Sequence, residues 1–340
     1  MHLKNILSIH RQYDHVYVSP HFDDVAASCS GRIFKQIDQG ESVLVVTVFT
    51  AAATHGSTRF SNALKSILNY KRRREEDTRA MQRMGVDYLW LEHPEFLFRN
   101  QRPWARYWPH YRATPSNEIL CDKLIRELHE ICKRTDCANL ILPLGVGQHM
   151  DHQILFQAGV TLLHGKDRIC RIVFYEETPY ALFPFLLTYR LKKSGIECML
   201  PCGRHRQTDS TGQLSAKEIF RLGTSIPSLG IHGAVIKPWI FLLIIGFHFY
   251  TRRLMKPSSG FFEGHGPFPE ICDITPSIDR KLFVISAYSS QLAGPMGDEQ
   301  YIKTGLSAYA STFGIPGGGF GERYWTTPYP KISCNIRDAR

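Results

Sequence analysis

The 340-residue sequence contains no hydrophobic run of the roughly 20 residues that would cross a bilayer. Its polar start, from Met1 to Gln12, has no signal-peptide core. Nine cysteines are present without a CxxC pair, and no internal repeat or low-complexity tract occurs. These absences argue against a bilayer-spanning protein, a secreted disulfide scaffold and a repeat protein. We therefore expect a cytoplasmic location and reduced thiols.

The composition is that of a packed globular protein. Apolar residues make up 43% and charged residues 21% of the chain, which excludes disorder as a description of the whole sequence. Lys plus Arg exceeds Asp plus Glu by 41 to 31, for a net charge of +10. The basic clusters at residues 71–74, 99–106 and 252–256 lie in no recognisable nucleic-acid motif. We predict a solvated basic surface or an anionic substrate, and no nucleic-acid partner.

Strand patterns alternate with helix patterns in the first half of the chain. The strand patterns lie at residues 15–20, 42–49, 86–91, 138–143 and 171–175. Helical spacing lies between them, at residues 24–39, 61–84, 117–134 and 151–163. This order predicts an α/β fold with a Rossmann-like, mostly parallel sheet flanked by helices and right-handed crossovers.

The second half of the chain is less regular. Residues 195–233 are rich in Gly, Ser, Thr and Pro and predict a long insertion, whereas residues 277–292 and 299–313 predict helices. Residues 317–321 predict a glycine-rich loop. We predict a catalytic core over residues 1–185, and an insertion with C-terminal helical additions over residues 186–340 that completes the same domain.

Two polar segments follow predicted strands. Residues 19–24 come directly after the first strand, and residues 149–152 come just after the fourth. In the common doubly wound order 3-2-1-4-5, the first and fourth strands are neighbours, and ligands bind in the crevice between them. We therefore expect the two segments to face each other at the carboxyl edge of the sheet.

The two segments supply histidines and aspartates in equal number. They are His21, Asp23, Asp24, His149, Asp151 and His152. Imidazole and carboxylate suit Zn²⁺, whose catalytic sites use three protein ligands and an open position for water. A metal-bound water can attack a carbonyl, a nearby carboxylate can take its proton, and a protonated histidine can stabilise the resulting oxyanion. The alternative is that these residues lie on the surface or cap helices, with Asp24 well placed as an N-cap.

The sequence resembles the PIG-L/LmbE deacetylase family over roughly residues 14–180. Residues 19–31 (SPHFDDVAASCSG) are similar to the first family motif, His-Pro-Asp-Asp-Glu with a glycine-containing helix. Residues 149–152 (HMDH) are similar to the second motif, His-x-Asp-His. The basic helix that ends at Gly85 and the segment 175–180 (YEETPY) agree as well.

The resemblance implies a zinc-dependent hydrolase that removes an N-acyl group, commonly the N-acetyl group of an N-acetylglucosamine unit. By motif position, His21, Asp24 and His152 would hold the zinc. Asp23 would be the general base that activates the metal-bound water. His149 would stabilise the tetrahedral oxyanion.

The remaining motif position implies that Asp151 orients or tunes a histidine. Phe22 stands where the family usually has Pro, and Val25 stands where it has Glu. Some members have a Tyr two residues before the first histidine of the second motif, where this chain has Gly147. A group that assists the oxyanion would then come from elsewhere. The candidates are Arg204, His205 and Tyr180.

Alternatives remain open for the substrate and for partners. An amidase could cleave a larger acyl group from a lipid-linked or natural-product substrate, and a non-catalytic sugar-binding protein could share the fold. Aromatic and basic residues alternate at 99–112 and suit sugar and anionic groups or a solvated surface. The apolar segment from Trp239 to Tyr250 suits a buried helix, a subunit interface in an oligomer or peripheral membrane contact. The spacing of Cys198 and Cys202 could suit a metal, but no second Cys/His pair follows at zinc-finger spacing, so we interpret the two residues as structural or incidental.

Overall fold

The computed structural model describes residues 1–51, 69–99, 115–165, 169–196, 262, 266–292 and 299–328. These residues form a mostly parallel eight-stranded sheet flanked by helices. The strands are β1 (His2–Leu3), β2 (His15–Ser19), β3 (Val43–Thr47), β4 (Asp87–Trp90), β5 (Asn139–Pro143), β6 (Arg171–Tyr175), β7 (Phe268–Asp273) and β8 (Gly321–Thr326). The helices are α1 (Asp24–Asp38), α2 (Tyr70–Met84), α3 (Phe96–Arg99), α4 (Pro115–Thr135), α5 (Met150–His164), α6 (Pro184–Ser194), α7 (Ile278–Ile285), α8 (Ser289–Leu292) and α9 (Glu299–Ser311).

The strand order is β1-β4-β3-β2-β5-β6-β8-β7. Strands β4, β3, β2, β5 and β6 are parallel, and they correspond to the five predicted strands in the predicted order 3-2-1-4-5. Every residue of β2 and β3 is buried, which agrees with their nearly continuous apolar, β-branched sequence. The prediction of a Rossmann-like sheet is confirmed.

Helix α2 begins after an asparagine N-cap and ends at a glycine. The side chain of Asn69 accepts a hydrogen bond from the backbone N–H of Arg72, which caps the first turn. Gly85 adopts a left-handed conformation with φ of 74° and ends the helix, since glycine has no Cβ to disfavour it. The predicted start of this helix at residue 61 is therefore wrong, because the helix begins at Tyr70 after the N-cap Asn69; the predicted end is confirmed.

The sequence did not predict strands β1, β7 and β8. Strand β8 pairs antiparallel with both β6 and β7, and so extends the sheet beyond the parallel core. It begins at Gly321, the last residue of the predicted glycine-rich loop. The predicted helix at 277–292 is interrupted and forms α7 and α8. The predicted helix at 299–313 is confirmed as α9.

A buried carboxylate attaches the C-terminal strands to helix α1. Glu322 accepts hydrogen bonds from the backbone N–H groups of Gly31 and Arg32 and pairs with Lys281 at 2.7 Å. A Cβ atom at Gly31 would lie 2.6 Å from Ile274, so this close approach requires glycine. The described C-terminal segments thus pack directly on the helix that follows the first polar segment.

Several predicted features lie outside the described residues. They are the aromatic part of the loop at 100–112, most of the insertion at 195–233, Cys198, Cys202, Arg204, His205 and the segment from Trp239 to Tyr250. Within the described part of the chain, no helix is long and apolar enough to cross a membrane. The division at residue 185 stays a prediction.

Candidate active site

The two polar segments meet at the carboxyl edge of the sheet. Strands β2 and β5 pair in parallel, with His15 opposite Asn139, so both strands end at the same edge. His21 follows β2 by two residues, and His149 is the N-cap of helix α5, after β5. The switch-point argument from the sequence is confirmed, because the strands that carry the two segments are neighbours.

Three histidines form a cluster at this edge. Nitrogen atoms of His21, His149 and His152 all lie within 4.8 Å of one another. The side chain of His152 is 1% exposed and that of His21 is 12% exposed, whereas that of His149 is 38% exposed. The cluster therefore opens to solvent on the side of His149. Imidazoles at this spacing could bind a metal ion.

The carboxylate of Asp24 lies between two of these histidines. Its Oδ2 atom is 3.2 Å from Nδ1 of His21 and 3.3 Å from Nε2 of His152. Burial acts to raise the pKa of Asp24, but the charge and hydrogen bond of His152, together with His21, hold it well below its usual range. An ionised carboxylate and two imidazoles thus converge on one region.

The alternative that Asp24 is the N-cap of helix α1 is wrong. Asp23 is the N-cap residue, but its side chain makes no capping hydrogen bond. The side chain of Ser19 accepts the backbone N–H of Val25, and Asp24 accepts the backbone N–H of His21. Both carboxylates at the start of the helix are therefore directed to the cluster or its surroundings rather than to helix capping.

Asp23 lies beside a buried cation from the basic cluster at 71–74. Arg73 is 6% exposed, is 3.8 Å from Oδ1 of Asp23 and pairs with Glu95 at 2.7 Å. The interpretation of this cluster as wholly solvated is wrong at Arg73. Burial and the negative charge of Asp24 raise the pKa of Asp23, while Arg73 acts against that rise. No sequence pattern separates Arg73 from its basic neighbours.

Asp151 is fully buried and contacts the histidine cluster. Its carboxylate contacts Nε2 of His21 at 3.1 Å, Arg99 at 2.6 Å and the backbone N–H of Phe96 at 3.0 Å. Burial acts to raise the pKa of Asp151, but Arg99 and His21 hold it well below its usual range. Its own backbone N–H donates to Nδ1 of His149 at 3.3 Å. Asp151, which we predicted to orient a histidine, thus contacts both His21 and His149.

Glu177 was not singled out from the sequence, although it lies in the quoted segment at 175–180. Its buried carboxylate accepts the backbone N–H groups of Gly145 and Val146 at 2.6 and 3.1 Å. It also contacts Nδ1 of His152 at 3.0 Å. Because Nδ1 is engaged with a carboxylate, Nε2 of His152 is directed toward Asp24. The only sequence signal was a pair of acidic residues directly after a buried strand.

Tyr180 occupies the space that a side chain at position 147 would need. A Cβ atom added to Gly147 would lie 2.6 Å from the ring of Tyr180. The same ring lies edge-on to His152, with a centroid separation of 6.1 Å. Of the three candidates to replace the family tyrosine, Tyr180 is therefore the one that the structure places beside the cluster, while the other two lie outside the described residues.

A family model agrees with this site. Residues 16–163 match the model described as PIG-L: GlcNAc-PI de-N-acetylase. This match covers less than half of the chain. All six predicted site residues fall within the matched residues, whereas Glu177 and Tyr180 lie beyond the end of the match.

The known proteins that are similar to this chain include deacetylases. The 2'-N-acetylparomamine deacetylase of Niallia circulans is 26% identical, over 48% of this chain and 66% of the relative's length. A crystal structure of a deacetylase-bog complex in the biosynthesis pathway of teicoplanin has a TM-score of 0.60 and 17% identity, covering 95% of this chain and 100% of that chain.

Two further structures share the fold. The zinc inhibited form of teicoplanin deacetylase Orf2 has a TM-score of 0.60 and 18% identity, covering 95% of this chain and 100% of that chain. The A40926 pseudoaglycone deacetylase Dbv21 has a TM-score of 0.58 and 17% identity, covering 93% of this chain and 98% of that chain. At these identities the structures establish the fold.

Proposed function

We propose that this chain is a zinc-dependent N-deacetylase that acts on an amino-sugar-containing substrate. His21, Asp24 and His152 would hold the metal. The observation that carries this proposal is the position of the Asp24 carboxylate, 3.2 and 3.3 Å from a nitrogen of each of the two histidines. These three residues are the ligand set implied by the family motifs.

The donor set fits zinc. Two imidazoles and one carboxylate are a common ligand combination for catalytic zinc, and a carboxylate behind a ligating histidine is the usual arrangement around it. Glu177 supplies that second carboxylate for His152. When bound, zinc supplies a Lewis acid that makes water acidic near neutral pH. A second possible ligand set consists of the three histidines His21, His149 and His152, whose nitrogen atoms also lie close together. Metal analysis of variants distinguishes this set from the proposed one.

Asp23 is proposed as the general base. Its carboxylate adjoins the ligand Asp24 in sequence, and burial with the charge of Asp24 raises its pKa. A raised pKa makes a carboxylate a better proton acceptor, because proton transfer is most efficient when the acceptor's pKa approaches the operating pH. Arg73, at 3.8 Å, would hold Asp23 ionised before it takes the proton from water.

His149 is proposed to stabilise the oxyanion by donating a hydrogen bond. Its Nδ1 atom accepts the backbone N–H of Asp151, so the proton of a neutral imidazole lies on Nε2. Burial and the charges of His21 and His152 lower the pKa of His149, with Asp151 acting in the opposite direction. This differs from the expectation of a protonated histidine, since a neutral ring can still donate from Nε2 to the developing negative charge.

Names of the relatives support the substrate class. The Niallia circulans relative is named for 2'-N-acetylparomamine, and the fold relatives are named for teicoplanin and A40926 pseudoaglycone. We propose an N-acetylated amino sugar within a small molecule or glycoconjugate as the substrate, consistent with natural-product biosynthesis.

The test combines zinc content with acetate release from a panel of N-acetylamino sugars that includes 2'-N-acetylparomamine. We expect Asp23→Asn to retain zinc and to lose at least about 100-fold in turnover, since general-base catalysis contributes about 10²–10⁴-fold. His152→Ala should hold one zinc ion fewer per chain than the parent and lose activity, whereas His149→Ala should lose activity and keep the zinc content of the parent. Asp122→Asn, exposed on helix α4, is the matched control and should change neither.

Two outcomes would contradict the assignment. Turnover of Asp23→Asn equal to that of the parent would exclude Asp23 as the base. Zinc loss in His149→Ala with full zinc retention in Asp24→Asn would replace the proposed ligand set by the three-histidine set.

A further inference from the structure

A cluster of three cysteine side chains, a residue type that can bind metals, lies outside the active site. Cys132, Cys137 and Cys170 are 3%, 3% and 4% exposed, and their sulfur atoms all lie within 4.8 Å of one another. The Sγ atoms of Cys132 and Cys170 are 3.6 Å apart, although the two residues are 38 positions apart in sequence. The proposed deacetylase chemistry uses none of these thiols.

The sulfur separation fits a shared metal ion better than a disulfide. A disulfide bond holds its sulfur atoms about 2.05 Å apart, much closer than observed here. Zinc binds thiolate sulfur at about 2.3 Å, and in a tetrahedral site two such sulfurs are then about 3.8 Å apart. The observed 3.6 Å between Cys132 and Cys170 is close to that value.

The cluster is assembled from three fixed backbone segments. Cys132 lies in the last turn of α4, Cys137 lies in the turn before β5, and Cys170 directly precedes β6. The backbone N–H of Arg171 donates to the carbonyl of Ala138 at 2.9 Å, which holds the two strand starts together. Four residues separate Cys132 from Cys137, a spacing found between paired cysteine ligands of structural zinc sites.

A histidine is available as the fourth ligand. His129 lies one helical turn before Cys132, so both residues are on the same face of α4. His129, Cys132 and Cys170 line the same small cavity, whose other walls include the apolar side chains of Leu140 and Ile172. Three thiolates and one imidazole are a common structural zinc set.

The position of the cluster indicates a structural role. Cys137 and Cys170 precede their strands, so they lie at the amino edge of the sheet, whereas the histidine cluster lies at the carboxyl edge. In open α/β folds, substrates and cofactors bind at the carboxyl edge of the sheet. We propose that Cys132, Cys137 and Cys170, with His129, bind one Zn²⁺ ion that joins the end of α4 to the starts of β5 and β6.

Cobalt substitution tests this site separately from the active site. The protein is prepared metal-free under reducing conditions and titrated with Co²⁺, and the near-ultraviolet sulfur-to-cobalt charge-transfer band is recorded. The histidine and aspartate ligands of the active site cannot produce that band. We expect one thiolate-bound cobalt per chain in the parent and also in His152→Ala, which removes a proposed active-site ligand.

Matched variants locate the ligands. Cys170→Ser should abolish the charge-transfer band and lower the zinc content by one ion per chain. Cys121→Ser, also a buried cysteine of α4 but outside the cluster, should leave both unchanged. Because Cys170→Ser could unfold, the double variant Cys198→Ser/Cys202→Ser is titrated as well, and it should keep the band of the parent. Absence of the band in the reduced, folded parent would overturn the proposal, as would its retention in folded Cys170→Ser.

Discussion

Replacement of Glu177 by Gln should weaken metal binding although Glu177 is not a proposed ligand. One carboxylate oxygen accepts the N–H of Gly145 at 2.6 Å and contacts Nδ1 of His152 at 3.0 Å, while the other accepts the N–H of Val146 at 3.1 Å. Glutamine has a single carbonyl oxygen, so its amide N–H group must face one of these donors. A buried donor left unsatisfied costs about 1–3 kcal/mol.

The expected loss of zinc affinity is about 10–100-fold, the usual effect of removing a residue that orients a ligating histidine. This corresponds to about 1.4–2.8 kcal/mol. Zinc affinity is measured by competition with a chromophoric chelator, and thermal unfolding is recorded on the same metal-free samples. We expect a lower zinc affinity, a lower Tm of the metal-free protein and reduced turnover at limiting zinc.

Glu176 provides a matched control for this variant. It is also a buried glutamate, but its carboxylate binds Tyr309, Arg323 and Trp325 rather than a histidine. Glu176→Gln should therefore lower the Tm and leave zinc affinity within about twofold of the parent, since it touches none of the proposed ligands. Parent-like zinc affinity in Glu177→Gln, or an equal loss in both variants, would refute the orienting role of Glu177.

Two further predictions concern buried groups near the site. Asp77→Asn should be more stable than the parent above pH 7. Burial, together with the negative charge of Asp23, raises the pKa of Asp77 to about 7, whereas the hydrogen bonds that Asp77 accepts from Tyr288 and Trp90 act to lower it. The folded protein thus holds a proton that the unfolded chain releases near pH 4. The free energy of unfolding of the parent should therefore fall as the pH rises from about 4 to 7, by at most about 1.4 kcal/mol per pH unit. Denaturant unfolding across that range should show a weaker dependence on pH for the variant. Gly147→Ala should lower stability by about 1–3 kcal/mol and reduce turnover, because its Cβ would displace the ring of Tyr180, and both effects are measured by thermal unfolding and acetate release.

Each of these variants has a control within the chain. Asp279→Asn changes an exposed carboxylate on α7 and should leave the pH profile as in the parent. Gly317→Ala adds a Cβ where no atom lies within 4 Å, and it should be neutral. If the stability of Asp77→Asn depends on pH as steeply as that of the parent, the argument from the pKa of Asp77 is wrong. If Gly147→Ala is as stable as the parent, the argument from its contact with Tyr180 is wrong.

The parallel core and the six residues of the two polar segments could be predicted from the sequence. Hydrophobic periodicity records which faces of each strand and helix are buried, and this signal is local. Alternation of strands and helices then restricts the topology, so that the segments after β2 and β5 had to meet at one edge. The predicted positions of His21 and His149 are confirmed for this reason.

Glu177, Arg73 and the three clustered cysteines could not be identified in this way. Their significance depends on contacts between residues distant in sequence, such as Cys132 with Cys170 and Arg73 with Asp23. A buried acidic, basic or thiol side chain has no periodic signature that separates it from an exposed one of the same type. The β7–β8 pair was missed because its partner strand β6 lies far away in the chain.

The sequence by itself therefore determined the order of the five parallel strands from β4 to β6 and the chemical groups available at their carboxyl edge. Only the tertiary structure decided which of those groups touch, because the 3.3 Å contact between Asp24 and His152 joins two helices separated by more than 100 residues. Burial then sets the protonation of these groups, since a charge removed from water depends on the partner that the fold places beside it.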